Sequence, residues 1–173
     1  MRRSWWTRGE LSPFAFIATV KKFYSGTIIL AGAMSTGADV AAAQMMGADY
    51  AYLGTRFLAA DESAASTEYK QMVLNSTAED ILYTDAFSGV PVNVLVSSLI
   101  NTGIDPSKLK SKDEVDLSEM IDAKAWRDIW SVGQGVTSLD NCETTKEIVE
   151  TLATEYYVAI EAIYAKQFGK TNG

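Results

Sequence analysis

Two glycine turns stand where a ligand could most easily bind to this chain. Gly32 follows the short apolar run Thr27–Ala31, and Gly54 follows a second run, Tyr50–Leu53. The segment between them, Ala38–Met46, has the length and composition of a helix, so the order predicts a βαβ unit with parallel strands. A glycine directly after a strand lets backbone N–H groups approach a ligand where a Cβ atom would block them. Both turns then lie at the carboxyl edge of the sheet, which predicts a ligand site, above all for a phosphate.

The chain contains no histidine, and histidine is the commonest general acid or base near neutral pH. Any catalysis must therefore use carboxylates, lysine, tyrosine or a cofactor. Arg56 is expected either to pair with a phosphate or to anchor a loop on a carboxylate. Asp61 and Glu62 are adjacent carboxylates, and we expect them to face water. The segment Gly133–Gly135 either approaches the ligand or forms a simple loop.

Composition narrows the class of protein. The chain has 173 residues, a net charge of −7 and a pI of about 4.6, which argues against nucleic acid as a partner. Its one cysteine, Cys142, allows no disulfide within the chain and fits a reducing cytoplasm. No apolar run reaches the roughly 20 residues of a membrane span. These features predict a cytoplasmic protein with neither a nucleic-acid partner nor a membrane partner.

The apolar periodicity predicts helices on both sides of the βαβ unit. Ser12 suits an N-cap and Pro13 suits the first helical position. We expect core packing for Tyr50 and Tyr52, on opposite sides of the sheet. A short extended piece is expected at Ile81–Thr84. Helices are predicted at Pro13–Phe23, Thr67–Asn75, Pro91–Thr102, around Met120, Ile121 and Trp126, and at Thr144–Phe168.

Several short segments, in order and with their spacing, resemble the nitronate monooxygenase (2-nitropropane dioxygenase) family. The resemblance extends roughly from Gly9 to Tyr157, and no single segment is decisive. The segments are Leu11-Ser12-Pro13-Phe14, Leu30-Ala31-Gly32-Ala33, Met46-Gly47-Ala48-Asp49 and Gly54-Thr55-Arg56-Phe57, then Glu62-Ser63, Tyr69-Lys70, Tyr83-Thr84, Gly89 and Gly133-Gln134.

The resemblance implies a flavoprotein on a TIM-barrel scaffold that binds FMN and oxidises alkyl nitronates with O2. It also implies that the phosphate of FMN is held by two turns, and we expect a helix N-terminus to contribute. The family's first turn is usually Gly-Gly, so Ala33 would be strained if the turn needs a positive φ. The cofactor-binding residues implied are Gly32, Ala33, Tyr52, Leu53, Gly54 and Thr55.

Two departures from the family are expected to matter. The family's catalytic histidine precedes the Leu-Ser-Pro-Phe helix, and Thr7 stands at that position, so no catalytic residue is assigned. A complete (β/α)8 barrel takes about 250 residues. We therefore predict an α/β fold that is the C-terminal part of such a barrel, with parallel strands, flanking helices and C-terminal helices. Residues 1–10 are an unmatched segment, and residues 11–173 form the partial FMN-binding domain.

The resemblance leaves three functions open. The first is nitronate oxidation, which this chain alone is expected to perform weakly or not at all. The second is a non-catalytic fragment or pseudo-enzyme subunit that binds flavin or phosphate. The third is a relative of the FMN-dependent enoyl reductases. An open partial barrel exposes strand edges and an apolar face, so self-association or pairing with the missing strands is expected.

Overall fold

A computed structural model describes residues 11–112 and 128–168. Its first helix, α1 (Pro13–Val20), begins as predicted, because the Ser12 hydroxyl accepts the N–H of Ala15 at 3.3 Å and proline occupies the first turn. The helix is shorter than predicted. It ends at Val20, and Phe23 beyond it is 78% exposed, so this phenylalanine does not extend the apolar stripe.

The predicted βαβ unit is confirmed. Strand β1 (Ile29–Ala31) and strand β2 (Tyr50–Tyr52) pair in parallel, with Leu30 opposite Ala51. Helix α2 (Gly37–Met46) crosses between them and ends at Gly47, which takes the left-handed conformation typical of a helix C-terminus. Both strands therefore carry their following turns to the same edge.

After β2, one predicted helix is found to be a strand followed by a shorter helix. Helices α3 (Thr55–Leu58) and α4 (Thr67–Leu74) precede strand β3 (Ile81–Thr84), where an extended piece was expected. The predicted helix Pro91–Thr102 is instead strand β4 (Val92–Leu95) followed by the short helix α5 (Val96–Asn101). β4 pairs antiparallel with β3. Alternating valines fit a strand as well as a helix stripe, and pairing with β3 decides between them.

Helix α6 (Thr145–Phe168) agrees with the predicted C-terminal helix and packs across α2. The approach is close, because a Cβ atom on Gly37 would collide with the carbonyl oxygen of Leu152. The helix expected around Met120, Ile121 and Trp126 lies outside the described residues, as does Thr7.

One face of the parallel pair is buried and the other is open. Leu30 is 3% exposed and packs with Ile17 of α1 and Ala43 of α2. The opposite face carries Tyr50 and Tyr52, which are 63% and 67% exposed. The prediction that these tyrosines point to opposite sides and pack in the core is wrong, since residues two apart in a strand share a face. In the described part of the chain, no helix has the length and apolar character to cross a membrane.

Candidate functional site

Three glycine-containing segments meet at one cleft of about 960 Å³. We call them the first turn (Gly32–Ala33), the second turn (Gly54–Thr55) and the third loop (Gly133–Gly135). Side chains from α1, the β3–β4 pair and the segment before the third loop complete the wall. The lining residues are Leu11, Ser12, Pro13, Phe16, Leu30, Ala31, Gly32, Ala33, Gly54, Thr55, Leu58, Tyr83, Pro91, Val92, Asn93, Ser131, Val132, Gly133 and Gln134.

The first turn has a backbone that favours glycine at both positions. Gly32 has φ +101° and Ala33 has φ +56°, both in the left-handed region that side chains disfavour. Ala33 is thus strained, as expected from the Gly-Gly that the resembling family usually has at this turn. Its N–H has no acceptor within the described residues, so the turn offers a hydrogen-bond donor at the mouth of the cleft.

The second turn leads directly into α3. Gly54 lines the cleft, and a Cβ atom on it would have no neighbour within 4 Å, so the space beside this glycine is open. Thr55 and Arg56 are the first residues of α3, whose N–H groups have no acceptor inside the helix. These donors add to that of Ala33.

The third loop joins the first two turns. The N–H of Gly133 donates to Oγ1 of Thr55 at 2.8 Å. A Cβ atom on Gly135 would collide with the buried hydroxyl of Ser35, just beyond the first turn. The two glycines therefore permit a close approach. The sequence allowed either a ligand contact or a simple loop here, and the two glycines on either side of Gln134 were the local sign of a close approach.

Two of the six residues predicted to hold the cofactor do not line the cleft. Tyr52 lies on the open face of the sheet, and Leu53 packs against the core cluster that contains Leu30. Alternation along β2 carries these side chains away from the edge where the backbone of Gly54 reaches the cleft. Gly32, Ala33, Gly54 and Thr55 do come together there.

The N-terminus of α2 lies beside the first turn, but its N–H groups are already bonded within the protein. At the start of α2, the N–H groups of Ser35 and Thr36 donate to the carboxylate of Asp39, both at 2.9 Å. Gly37 N–H donates to the carboxylate of Glu155 at 2.6 Å. Side chains of the protein therefore already occupy this anion-binding position.

The charged residues near the second turn have structural partners. Arg56 forms an ion pair with Glu143, and both side chains are largely buried, so the loop-anchoring expectation for Arg56 describes its contact. Asp61 and Glu62 are exposed, as expected, and Glu62 also has a partner. Its carboxylate accepts the N–H and the hydroxyl of Thr145 at 2.8 and 2.9 Å, and this hydrogen bonding lowers the pKa of Glu62. The carboxylates of Glu143 and Glu62 thereby hold the start of α6 in place.

The cleft itself carries no charged side chain among its described lining residues. Its polar groups are backbone amides, the amides of Asn93 and Gln134, and hydroxyls. Within the described residues, no group of three metal-ligating side chains occurs. Such a lining suits an elongated ligand, with an anionic end on the backbone donors and a flatter, less polar end against apolar walls.

Fold and site together define an α/β protein whose parallel strands carry a glycine-lined ligand cleft at their carboxyl edge. The family model for nitronate monooxygenase matches residues 6–155. The chain therefore belongs to the nitronate monooxygenase family.

The relatives are longer than this chain. A probable nitronate monooxygenase from Staphylococcus haemolyticus is 30% identical over 92 residues, which are 53% of this chain and 26% of the relative. A nitronate monooxygenase from Paraburkholderia phytofirmans is 33% identical over 97 residues, which are 56% of this chain and 26% of that protein. The match thus spans about a quarter of the length of these curated relatives.

Two solved structures resemble this chain in fold, and the chain spans about half of each. The nitroalkane oxidase from Streptomyces ansochromogenes superimposes with a TM-score of 0.71 and 28% identity, covering 94% of this chain and 48% of its own. FabK from Thermotoga maritima gives a TM-score of 0.69 at 24% identity, covering 91% of this chain and 53% of its own. The second likeness concerns the fold alone.

Proposed function

We propose that this chain is the phosphate-binding, C-terminal part of an FMN-dependent nitronate monooxygenase built on a (β/α)8 barrel. The observation that carries the proposal is the meeting of three glycine segments around one cleft at the carboxyl edge of β1 and β2. Family membership supports a flavin-dependent oxidoreductase. In the proposed reaction, an alkyl nitronate is oxidised by O2, and the flavin supplies the electron chemistry.

The phosphate of FMN fits the donors of the cleft. In the part of the chain that the structure describes, the backbone N–H groups of Ala33, Thr55 and Arg56 have no acceptor, and Gly54 leaves room for a ligand to approach. Several converging N–H groups hold a dianion without a cation. The apolar side chains of Phe16, Leu30 and Val132 line the same cleft and exclude water from the rest of the ligand.

The chain itself supplies little acid–base chemistry. It has no histidine, and Tyr83 is the only titratable side chain among the described residues that line the cleft. We therefore expect weak or absent turnover from this chain alone. The test is O2 uptake by the purified chain with FMN and an alkyl nitronate. Uptake at or near the background rate is predicted, and robust turnover would contradict the expectation.

The same lining favours a second candidate, a non-catalytic module that binds flavin. An uncharged cleft with backbone donors is sufficient for binding, whereas proton transfer needs a titratable group near the reacting atoms. Flavin absorbance of the protein as purified distinguishes the candidates when it is read with O2 uptake. Bound flavin without turnover supports the module, and bound flavin with turnover supports the enzyme. Similarity to FabK concerns fold only, so an enoyl reductase role ranks below both.

The open face of the parallel pair is proposed to face further strands of the barrel. Ile29, Tyr50 and Tyr52 are 59%, 63% and 67% exposed, and among the described residues β1 and β2 pair only with each other, which leaves both outer edges unpaired there. We therefore expect the chain by itself to self-associate or to pair with polypeptide that supplies such strands, in a reducing compartment such as the cytoplasm. Light scattering tests this expectation, and a monodisperse monomer would contradict it.

A further inference from the structure

Helix α6 carries an apolar stripe that is exposed in the part of the chain that the structure describes. Another side of the helix packs across α2, where the carboxylate of Glu155 accepts the N–H of Gly37. Residues spaced by four, four and three positions form the stripe, and this spacing places them on one side of the helix. They are Val149, Ala153, Tyr157 and Ile160, and all four are exposed. An apolar helix face of this length is typical of a contact surface.

The stripe is separate from the open face of the parallel strands. Helix α2 packs on the side of the sheet that carries Leu30, and α6 packs on α2. Tyr50 and Tyr52 lie on the opposite side of the sheet. Polypeptide packed on that open face would therefore not reach the stripe. In addition, Tyr157 and Ile160 lie beyond residue 155, where the match to the family model ends.

The two ends of the stripe carry opposite charges. Lys146 lies one turn before Val149, and Glu161 follows Ile160 directly. Both charged residues are exposed, and Lys146 has only a long contact of 3.8 Å with the exposed carboxylate of Glu150. A reversed copy of the same helix would bring each lysine to a glutamate, whereas a parallel copy would bring like charges together. The surface is therefore complementary to itself in the antiparallel orientation.

Helix geometry determines how two such stripes align. When each Lys146 stands level with Glu161 of the second copy, the midpoint of the contact falls at Ala153. The two alanines then face each other, and their small side chains let the helix axes approach closely. Val149 of each copy faces Tyr157 of the other, so larger side chains fill the space on both sides of the centre. The helices overlap over roughly 27 Å.

We propose that this stripe of α6 is the interface of a homodimer in which two copies of the chain pair their α6 helices antiparallel. The inference goes beyond the proposed function and does not depend on flavin. One pair of helices forms a small interface, so a dissociation constant on the order of micromolar is expected. Exposed ion pairs at both ends select the orientation and contribute little to the affinity.

Sedimentation equilibrium at several protein concentrations tests the dimer. Wild type is expected to be dimeric at roughly 50 micromolar and to dissociate on dilution. Ala153→Glu places two like charges at the centre of the contact and should raise the dissociation constant at least about tenfold. Ala162→Glu is the matched control, because this exposed alanine lies about two and a half turns further along, on the opposite side of α6. A monomeric wild type, or equal dissociation constants for the two variants, would overturn the dimer.

Reversing the charges tests the antiparallel orientation. Lys146→Glu and Glu161→Lys each replace two attractions with two repulsions, so each alone should raise the dissociation constant by about three- to tenfold. The double variant restores opposite charges and should return to within about twofold of wild type. A double variant that dimerises no better than the single variants would overturn the orientation. Both positions are exposed, so these variants keep the test decisive even where Ala153→Glu does not fold.

The dimer and the proposed function can fail separately. None of the stripe residues lines the cleft, so Ala153→Glu should lose the dimer and keep the FMN affinity of wild type in a fluorescence titration. Circular dichroism and the thermal midpoint establish that each variant is folded. A monomeric wild type that binds FMN would overturn the dimer and leave the proposed function standing. A wild-type dimer that binds no FMN would support the interface and overturn the proposed function.

Discussion

Gly133 donates its backbone N–H to the Thr55 hydroxyl at 2.8 Å, and this bond joins two loops that are 78 residues apart in the chain. A Cβ atom on Gly133 would lie 3.1 Å from the same hydroxyl, so the loops touch closely at this point. The bond determines how the third loop closes on the second turn, and with it the shape of the cleft.

Replacing Thr55 with valine removes the acceptor and keeps the shape of the side chain. The N–H of Gly133 then loses its partner in a partly buried position, which is expected to lower the free energy of unfolding by about 1–2 kcal/mol. FMN affinity should fall as well, because the third loop is released from the second turn. Thr55→Ser keeps the hydroxyl and is the matched control. Chemical denaturation measures the first effect, and equal stability of the valine and serine variants would contradict the account.

Ala33→Gly relieves the strained first turn. A non-glycine residue at φ +56° costs about 1–2 kcal/mol, whereas the added glycine loses about 0.4–1 kcal/mol through the freer unfolded chain. We expect a net gain in stability of roughly 0.5–1 kcal/mol. Ala42→Gly, at an exposed position inside α2, should instead destabilise by about 1 kcal/mol. Denaturation curves for the two variants that shift in the same direction would refute this reading of the turn.

Arg56→Met tests whether this arginine supports the protein or binds phosphate. Losing the ion pair with the largely buried Glu143 is expected to destabilise the fold by about 1–3 kcal/mol. Because Arg56 contacts the protein with its guanidinium, FMN affinity should change by less than about threefold, whereas a lost phosphate contact would cost about tenfold or more. Glu143→Gln should reproduce the stability loss. A large affinity loss confined to the arginine variant would assign Arg56 to the ligand.

The carboxylate of Glu62 makes stability depend on pH. Hydrogen bonds from Thr145 lower the pKa of Glu62 from its usual value of 4.5. A lowered pKa in the folded state contributes stability that is present above pH 4.5 and is lost as pH falls through the folded-state pKa. Glu62→Gln should therefore lower the thermal midpoint at pH 7 and flatten its decline in acid. Thermal melts between pH 3 and 7 check this, and parallel curves for variant and wild type would contradict it.

Much of the fold follows from local signals in the sequence. Glycines after apolar runs mark the turns around α2, and Ser12 with Pro13 marks the start of α1. The strand at Val92–Leu95 could not be predicted from local signals. Its valines fit a helix stripe equally well, and only the pairing with Ile81–Thr84 decides the matter. Long-range pairing of this kind leaves no local signal.

The parts of the candidate site that are formed by backbone turns could be predicted from the sequence. The positions of the side chains could not. Gly32 and Gly54 reach the cleft because turns after parallel strands share an edge. Tyr52 does not, since strand alternation turns its side chain to the open face. The N–H of Gly37 in α2 is bonded by Glu155 of α6, which is 118 residues away in the chain. No local sequence pattern could predict this contact. The same holds for the bond between Gly133 and Thr55.

The glycine segments are proposed to hold the phosphate of FMN, so the chain should distinguish FMN from riboflavin. FMN and riboflavin differ by that phosphate alone. Fluorescence titration of the chain should show FMN binding at least about tenfold more tightly than riboflavin. Gly54→Val, which fills the open space beside the second turn, should abolish that preference. Equal affinity for the two ligands, or a preference that survives in Gly54→Val, would contradict the account.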